Sequence, residues 1–260
     1  MNWLEGIVLG LLQGITEILP VSSDGHLALL LHFWRISPSV RLNLTAALHL
    51  GTALAILIFM LPRIFTLMRN LADTQSPVRN HARRLILLII IGTLPALGAG
   101  LLLEPWVESL FVQKIVTSIL FLINGTLLFT TRFARNRNRP IELPLGILIG
   151  LIQSTAILPA ISRSGTTISL ALLLGVNTAT AFEFSFLLAL PVTLGAAIWE
   201  LLKLDFSLLS PGPVISGIMV AGITGYLMLM ILRRVIISRN FWWFGIYCWA
   251  LGLLSLLLLR

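Results

Sequence analysis

An all-α membrane protein, with six full spans and two re-entrant helix hairpins in an inverted-topology repeat, is the fold this sequence predicts. Three observations carry it. Of 260 residues, 57% are hydrophobic and only 11% charged, with a mean hydropathy of +0.99, too apolar for a water-soluble globule. Two polar stretches, QGITEILPVSSDGH at 13–26 and QSTAILPAISRSGTT at 153–167, interrupt apolar runs. A shift of 140 residues lays Gly10 on Gly150, Leu11 on Leu151, Gln13 on Gln153, Ser22 on Ser162 and Gly25 on Gly165. Arginines gather in alternate loops, as the positive-inside rule requires. One membrane domain, 1–260, with repeats at about 1–131 and 141–260, follows.

The elements run in this order. Residues 3–19 are apolar apart from Glu5, Gln13 and Glu17, and Pro20 stops the helix because it lacks an amide donor and disfavours helical geometry before it. A second apolar piece at 27–34 follows Gly25 and His26. Each half is short for a crossing, so the pair reads as a hairpin that enters and leaves on one side, its broken backbone covered by protein around a cavity. Residues 43–61 make the first full span, ended by Pro62. The loop to Arg84 carries Arg63, Arg69, Arg79, Arg83 and Arg84. Spans at 85–103 and 114–131 flank a short loop with Glu104 and Glu108, and Arg132, Arg135, Arg137 and Arg139 mark the next loop. The second broken element is 144–175. Spans at 183–202, 213–231 and 242–259 complete the chain, with Arg233, Arg234 and Arg239 before the last and Trp242 and Trp243 at an interfacial belt.

Twelve of the eighteen Lys and Arg fall in the three basic loops, five on the other face (Arg35, Arg41, Lys114, Lys203, Arg260), and Arg163 lies inside an apolar element. Both termini are then predicted outside. One hairpin and three crossings per half invert the second half, so the two breaks meet near the midplane. Full crossing by both hairpins would give eight or more spans and a different charge distribution. The net charge of +8 needs no nucleic-acid partner, because topogenic arginines account for it. Cys248 is alone, which excludes an internal disulfide, and the first apolar run lacks the basic flank of a cleaved signal.

Ionisable groups at bilayer depth cost at least ~2.5 kcal/mol and mark function by default. Arg163, flanked by Ser162, Ser164 and Gly165 and followed by Thr166 and Thr167 at a helix start, has the donors of an oxyanion cradle. The bland alternative is an ion pair with Glu17, Asp24 or Glu183. Gln13 and Glu17, four apart, share a helix face. Glu17 suits a proton acceptor, a divalent-cation ligand or an orienter of His26, or else a partner of Arg163. His26 lies three residues past Ser23 and suits a base or acid, or a polar tip facing water. Ser22 and Ser23 follow the break, and Ser23 is the favoured nucleophile. His49 and Asn124 read as helix-packing groups, while Glu183 opens a span beside the second hairpin.

These residues resemble the undecaprenyl-diphosphate phosphatase family of bacterial membranes. The likeness spans essentially the whole chain and rests on QGITEILPVSSDGH, LPAISRSGTTIS and AFEFSFLLALP. The family's Glu/Gln-then-Glu pair falls on Gln13 and Glu17, its Ser-Ser-x-Gly-His run on Ser22, Ser23, Gly25 and His26. Its second motif falls on Pro159, Ser162, Arg163, Ser164 and Gly165. Ala160 replaces the family's glycine, where a methyl disfavours a positive φ. Asp24 adds a charge that favours a metal.

The resemblance implies hydrolysis of undecaprenyl diphosphate to the monophosphate and phosphate at the outer face of the plasma membrane, recycling the lipid carrier of wall synthesis. On that reading Glu17, Ser23, His26 and Arg163 are catalytic. Gln13, Ser22, Ser162, Ser164, Gly165 and Thr167 bind substrate, and Glu17 holds a divalent cation, Mg²⁺ or Ca²⁺. Direct attack by water is the competing chemistry. The partners are the polyprenyl diphosphate lipid, the bilayer and a second copy in a homodimer. Inverted repeats with broken helices also suit a secondary transporter or a flippase for a phosphorylated prenyl lipid.

Overall fold

The computed structural model describes residues 2–34, 38–111, 113–203 and 211–258. Arg35 and Arg260 lie outside these, as do the side chains of Arg41, Glu104, Glu108 and Lys203. The described residues form ten α-helices and no strand: α1 (Trp3–Ile18), α2 (Ser23–Phe33), α3 (Pro38–Leu71), α4 (Ser76–Phe111), α5 (Lys114–Thr130), α6 (Leu143–Gln153), α7 (Arg163–Leu173), α8 (Thr178–Lys203), α9 (Pro211–Ile237) and α10 (Trp243–Leu258).

Local chemistry sets the ends of the short helices. Glu5 does not interrupt α1 but starts it. Its amide donates to Asn2 Oδ1 at 2.9 Å and its carboxylate accepts from the Asn2 amide at 2.9 Å, a reciprocal cap. Pro20 ends α1, and Ser22 turns the chain through a positive φ of 66° into α2. At the second break Ser162 caps α7 by accepting from the Gly165 amide at 3.1 Å, and Ser22 Oγ accepts from the Gly25 amide at 3.4 Å in the corresponding place.

The long helices depart from the expected boundaries. Pro62 lies inside α3, which runs on to Leu71, and α4 begins at Ser76, so the basic loop shrinks to residues 72–75. A proline removes one backbone bond, and in an apolar surround the remaining bonds carry the helix through. The expected loop at 104–108 is likewise helical, since α4 continues through Pro95 and Pro105 to Phe111. Among the described residues, five helices have apolar stretches long enough to cross a membrane: Leu44–Leu71, Ser76–Leu103, Lys114–Phe133, Thr178–Trp199 and Pro211–Ile237. The multi-spanning class holds. The sixth expected span, α10, has 16 described residues, about 24 Å at 1.5 Å per residue.

Packing follows one scheme twice. Helix α1 lies on α9 and α6 on α4; α3 contacts α9 as α8 contacts α4; and α5 pairs with α10 as α3 pairs with α8. Glycine makes the first two contacts close: Gly10 meets Gly217, and a methyl on Gly150 would fall 2.6 Å from the Gly92 carbonyl oxygen. The α5–α10 contact adds a Ser118–Ser255 hydroxyl bond of 2.7 Å. The core gathers around α8, where Phe182, Phe184, Phe186 and Leu188 are all buried.

Contacts near the helix ends place the feet of the second broken element. Arg84 at the start of α4 pairs with Glu142 before α6 at 3.7 Å. The amides of Arg137 and Arg139 donate to the Gly175 carbonyl just past α7. The beginning of α6 therefore stands beside the arginine-bearing part of α4, and the end of α7 beside the arginine-rich segment 132–139 that leads into α6. Arg132 in that segment covers the Trp242 ring at 5.0 Å.

The two breaks are joined by Asn124 on α5, which is fully buried. Its amide nitrogen donates to the Pro20 carbonyl at 3.1 Å, and its oxygen accepts from the Ser162 amide at 3.2 Å. Replacing it strands one group in each break. Asn124→Ala is expected to lower stability by about 2–4 kcal/mol, read by thermal unfolding of the detergent-solubilised protein.

Candidate active site

The breaks put the ends of α1 and α6 and the starts of α2 and α7 around one cavity of about 230 Å³. Arg163, first residue of α7, aims Nη2 at Glu17 Oε1 at 2.7 Å and Nη1 at the Ala189 carbonyl of α8 at 3.3 Å. Of the partners weighed for an ion pair, Glu17 is the one that Arg163 meets. Arg163 is paired, yet guanidinium has five N–H donors and its side chain keeps some exposure to the cavity. The other Glu17 oxygen accepts from Ser23 Oγ at 2.5 Å. One carboxylate therefore links a cation from the second half to a hydroxyl from the first.

His49 of α3 joins this group. Its Nε2 lies 3.6 Å from both Glu17 Oε2 and Asp24 Oδ1, and it lines the cavity. Expected as a packing group, it stands between the two carboxylates that face the cavity. The sequence signal was only a histidine inside the 43–61 apolar run.

Of the residues singled out, Glu17, Ser22, Ser23, Ser162 and Arg163 line the cavity. Gln13, His26, Ser164, Gly165 and Thr167 are not among its lining. Gln13 supports Glu17 from behind, with Nε2 at 3.5 Å from both Glu17 Oε2 and Thr52 Oγ1. Ser164 Oγ bonds the Ile18 carbonyl at 3.2 Å, linking α7 to the end of α1. Gly165 is held by its cap. Thr167 Oγ1 donates to the Arg163 carbonyl at 2.8 Å and meets Ser185 Oγ at 2.5 Å.

His26 does not address Ser23. Its Nδ1 contacts the Ser22 carbonyl at 2.7 Å, an acceptor, so that nitrogen carries the proton; Nε2 meets the Tyr247 hydroxyl of α10 at 2.7 Å. The ring stacks on Tyr247 and meets Phe121 edge-on. Glu183 pairs with Arg63 rather than joining the cavity. Ala160 does adopt the positive φ that the family glycine would take easily, at 65°, in a fully buried position. Its neighbour across the breaks is Gly25, where a methyl would fall 3.1 Å from Ala160 Cα.

A polar cavity of this kind, with a hydroxyl on a carboxylate and a cation beside both, is equipped for acyl or phosphoryl chemistry on an anionic group. Residues 6–254 match the family model described as bacitracin resistance protein BacA. The chain belongs to the BacA family. Among similar proteins are relatives bearing the name undecaprenyl-diphosphatase. One from Methanococcus maripaludis strain C5 is 34% identical over 259 residues, covering 98% of this chain and 100% of its own. That of Desulfatibacillum aliphaticivorans is 35% identical, with 97% of each chain covered. That of Carboxydothermus hydrogenoformans is 36% identical, covering 99% of this chain and 98% of its own.

The charge pairing sets a test of the site itself. Arg163→Met leaves Glu17 facing Asp24 without its guanidinium partner, and is expected to cost about 3 kcal/mol. Adding Glu17→Gln should recover part of that loss. Denaturation of both single variants and the double variant reads the coupling, and strict additivity would show that the 2.7 Å contact contributes none.

Proposed function

We propose that this protein hydrolyses undecaprenyl diphosphate to undecaprenyl phosphate and phosphate in the plasma membrane of a bacterial cell. The observation that carries the reading is the Ser23–Glu17–Arg163 chain inside one cavity, supported by the BacA family match and the relatives' names. A prenyl tail stays in the bilayer while its diphosphate enters the polar cavity. Glu17 takes the Ser23 proton as Oγ attacks the terminal phosphorus, and the bond to the bridging oxygen breaks, releasing the lipid monophosphate. Water then cleaves the phosphoserine. Arg163, through its remaining N–H groups, and Ser162 stabilise the charge on the transferring phosphoryl oxygens.

His26 acts here as a positioning group: through the Ser22 carbonyl it fixes the turn that presents Ser23. A divalent cation, Mg²⁺ or Ca²⁺, fits only with help from substrate. Among the described residues no group of three His, Cys, Asp or Glu, the Glu17–His49–Asp24 group included, is arranged to hold one by itself, while Glu17 and Asp24 both face the cavity. They would supply carboxylate oxygens and the diphosphate the rest. Such an ion would neutralise phosphate charge.

The architecture is read the same way. The α1–α2 and α6–α7 pairs are proposed to be re-entrant hairpins, with α1–α5 and α6–α10 as inverted copies. Support comes from the twice-repeated packing scheme and from the feet of α6 and α7 at one arginine-rich end. That end is taken as cytoplasmic, the termini and the substrate side as extracytoplasmic. A homodimer is an added expectation, read by cross-linking in native membranes.

Purified protein in detergent is expected to release phosphate from a long-chain prenyl diphosphate. Glu17→Ala and Arg163→Ala should lose at least about a hundredfold in turnover, ~2.7 kcal/mol of transition-state stabilisation. Chelation should slow release, and Mg²⁺ or Ca²⁺ should restore it. Phosphate release absent from folded protein would turn the reading toward the transporter or flippase alternative. In a separate experiment, acid quenching during turnover should trap a labelled phosphoserine in wild type and Ser22→Ala but not in Ser23→Ala. No label in wild type would favour direct attack by water.

A further inference from the structure

Gln153, the last residue of α6, is 2% exposed, and neither Oε1 nor Nε2 has a hydrogen-bond partner. It nevertheless lines the cavity. A buried amide left unpaired costs about 1–3 kcal/mol per group, so an orphan carboxamide at a cavity wall calls for a ligand. Nearby hydroxyls do not supply one. Ser154, Thr155 and Thr193 donate to the Leu151, Ile152 and Ala189 carbonyls of their own segments. The α4–α6 glycine crossing at Gly92 and Gly150 holds the two helices in close contact just before Gln153. Gln13, its counterpart under the 140-residue shift, spends its amide nitrogen on Glu17 and Thr52.

The cavity lining mixes two kinds of side chain: Glu17, Ser23, Asp24, His49 and Arg163 are charged or polar, whereas Ala96, Ala156, Ile157, Val192 and Ala196 are apolar, and Ala156 and Ile157 follow Gln153 closely in the chain. On the proposed reaction, which this inference rests on, the Glu17–Ser23–Arg163 group takes the terminal phosphate because Ser23 attacks it there. The phosphate that stays on the lipid then needs a donor outside that group, on the side from which an apolar chain can leave. We infer that Gln153 is the subsite for this lipid-side phosphate, its Nε2 donating to a non-bridging oxygen of the phosphomonoester that both substrate and lipid product carry. A neutral donor suits that place. It binds a phosphate oxygen without a second cation that would hold the product.

The test separates the two phosphates. Wild type, Gln153→Leu and the isosteric Gln153→Glu are assayed with farnesyl diphosphate, with farnesyl monophosphate and orthophosphate as inhibitors. Both variants are expected to raise KM and the farnesyl monophosphate inhibition constant about tenfold, with the orthophosphate constant unchanged. Gln153→Leu should also unfold at the same or a higher temperature, because it removes two unpaired polar atoms. A farnesyl monophosphate constant that stays put, or one that moves together with orthophosphate, would overturn the subsite. A lower unfolding temperature for Gln153→Leu would do so too, by revealing a structural role. If wild type releases no phosphate, the proposed reaction fails while the subsite is still decided: farnesyl monophosphate binding, followed by tryptophan fluorescence, must weaken in both variants.

Discussion

Broken backbone in an apolar surround has to be satisfied by protein, and this molecule depends on how it meets that demand. At each break a proline or a left-handed turn frees amides and carbonyls that water cannot reach. Asn124 answers for both at once, one amide face on the Pro20 carbonyl and the other on the Ser162 amide. Ser164 adds a bond to the Ile18 carbonyl. The satisfaction of one break by groups serving the other brings Glu17 and Arg163 within 2.7 Å although 146 residues separate them.

The charges then organise themselves around a carboxylate. Glu17 touches Arg163 with one oxygen and Ser23 with the other, while His49 stands between it and Asp24. A buried ion pair is a poor source of stability by itself. The pair holds each member in a fixed place, and charge fixed in advance is what the proposed reaction requires of an apolar, water-poor site that must stabilise an anion. The surrounding shell of Gln13, Thr52 and the Ala189 carbonyl fixes these groups from behind.

Much of this was legible in the sequence because intramembrane polarity is rare and the two polar stretches stood 140 residues apart. The helical class, both breaks and the meeting of Glu17 with Arg163 followed from those features. Other points were not legible, for particular reasons. Pro62 was read as a stop because proline costs a bond, yet the cost is small against the rest of α3. His26 was paired with Ser23 on spacing alone, whereas the ring swings to the Ser22 carbonyl and to Tyr247, a residue no local pattern points to. His49 comes from a separate helix, and only the tertiary fold puts it between two carboxylates. Ala160 tolerates a left-handed φ that its type disfavours by roughly 1–2 kcal/mol, because the surrounding break over-determines the turn.

The bond between His26 and Tyr247 joins residues 221 positions apart, and α1 takes its main packing partner from α9. The first hairpin emerges from the ribosome long before either partner exists. Through the His26 ring, the serine turn near the start of the chain is therefore braced by the helix that is made last.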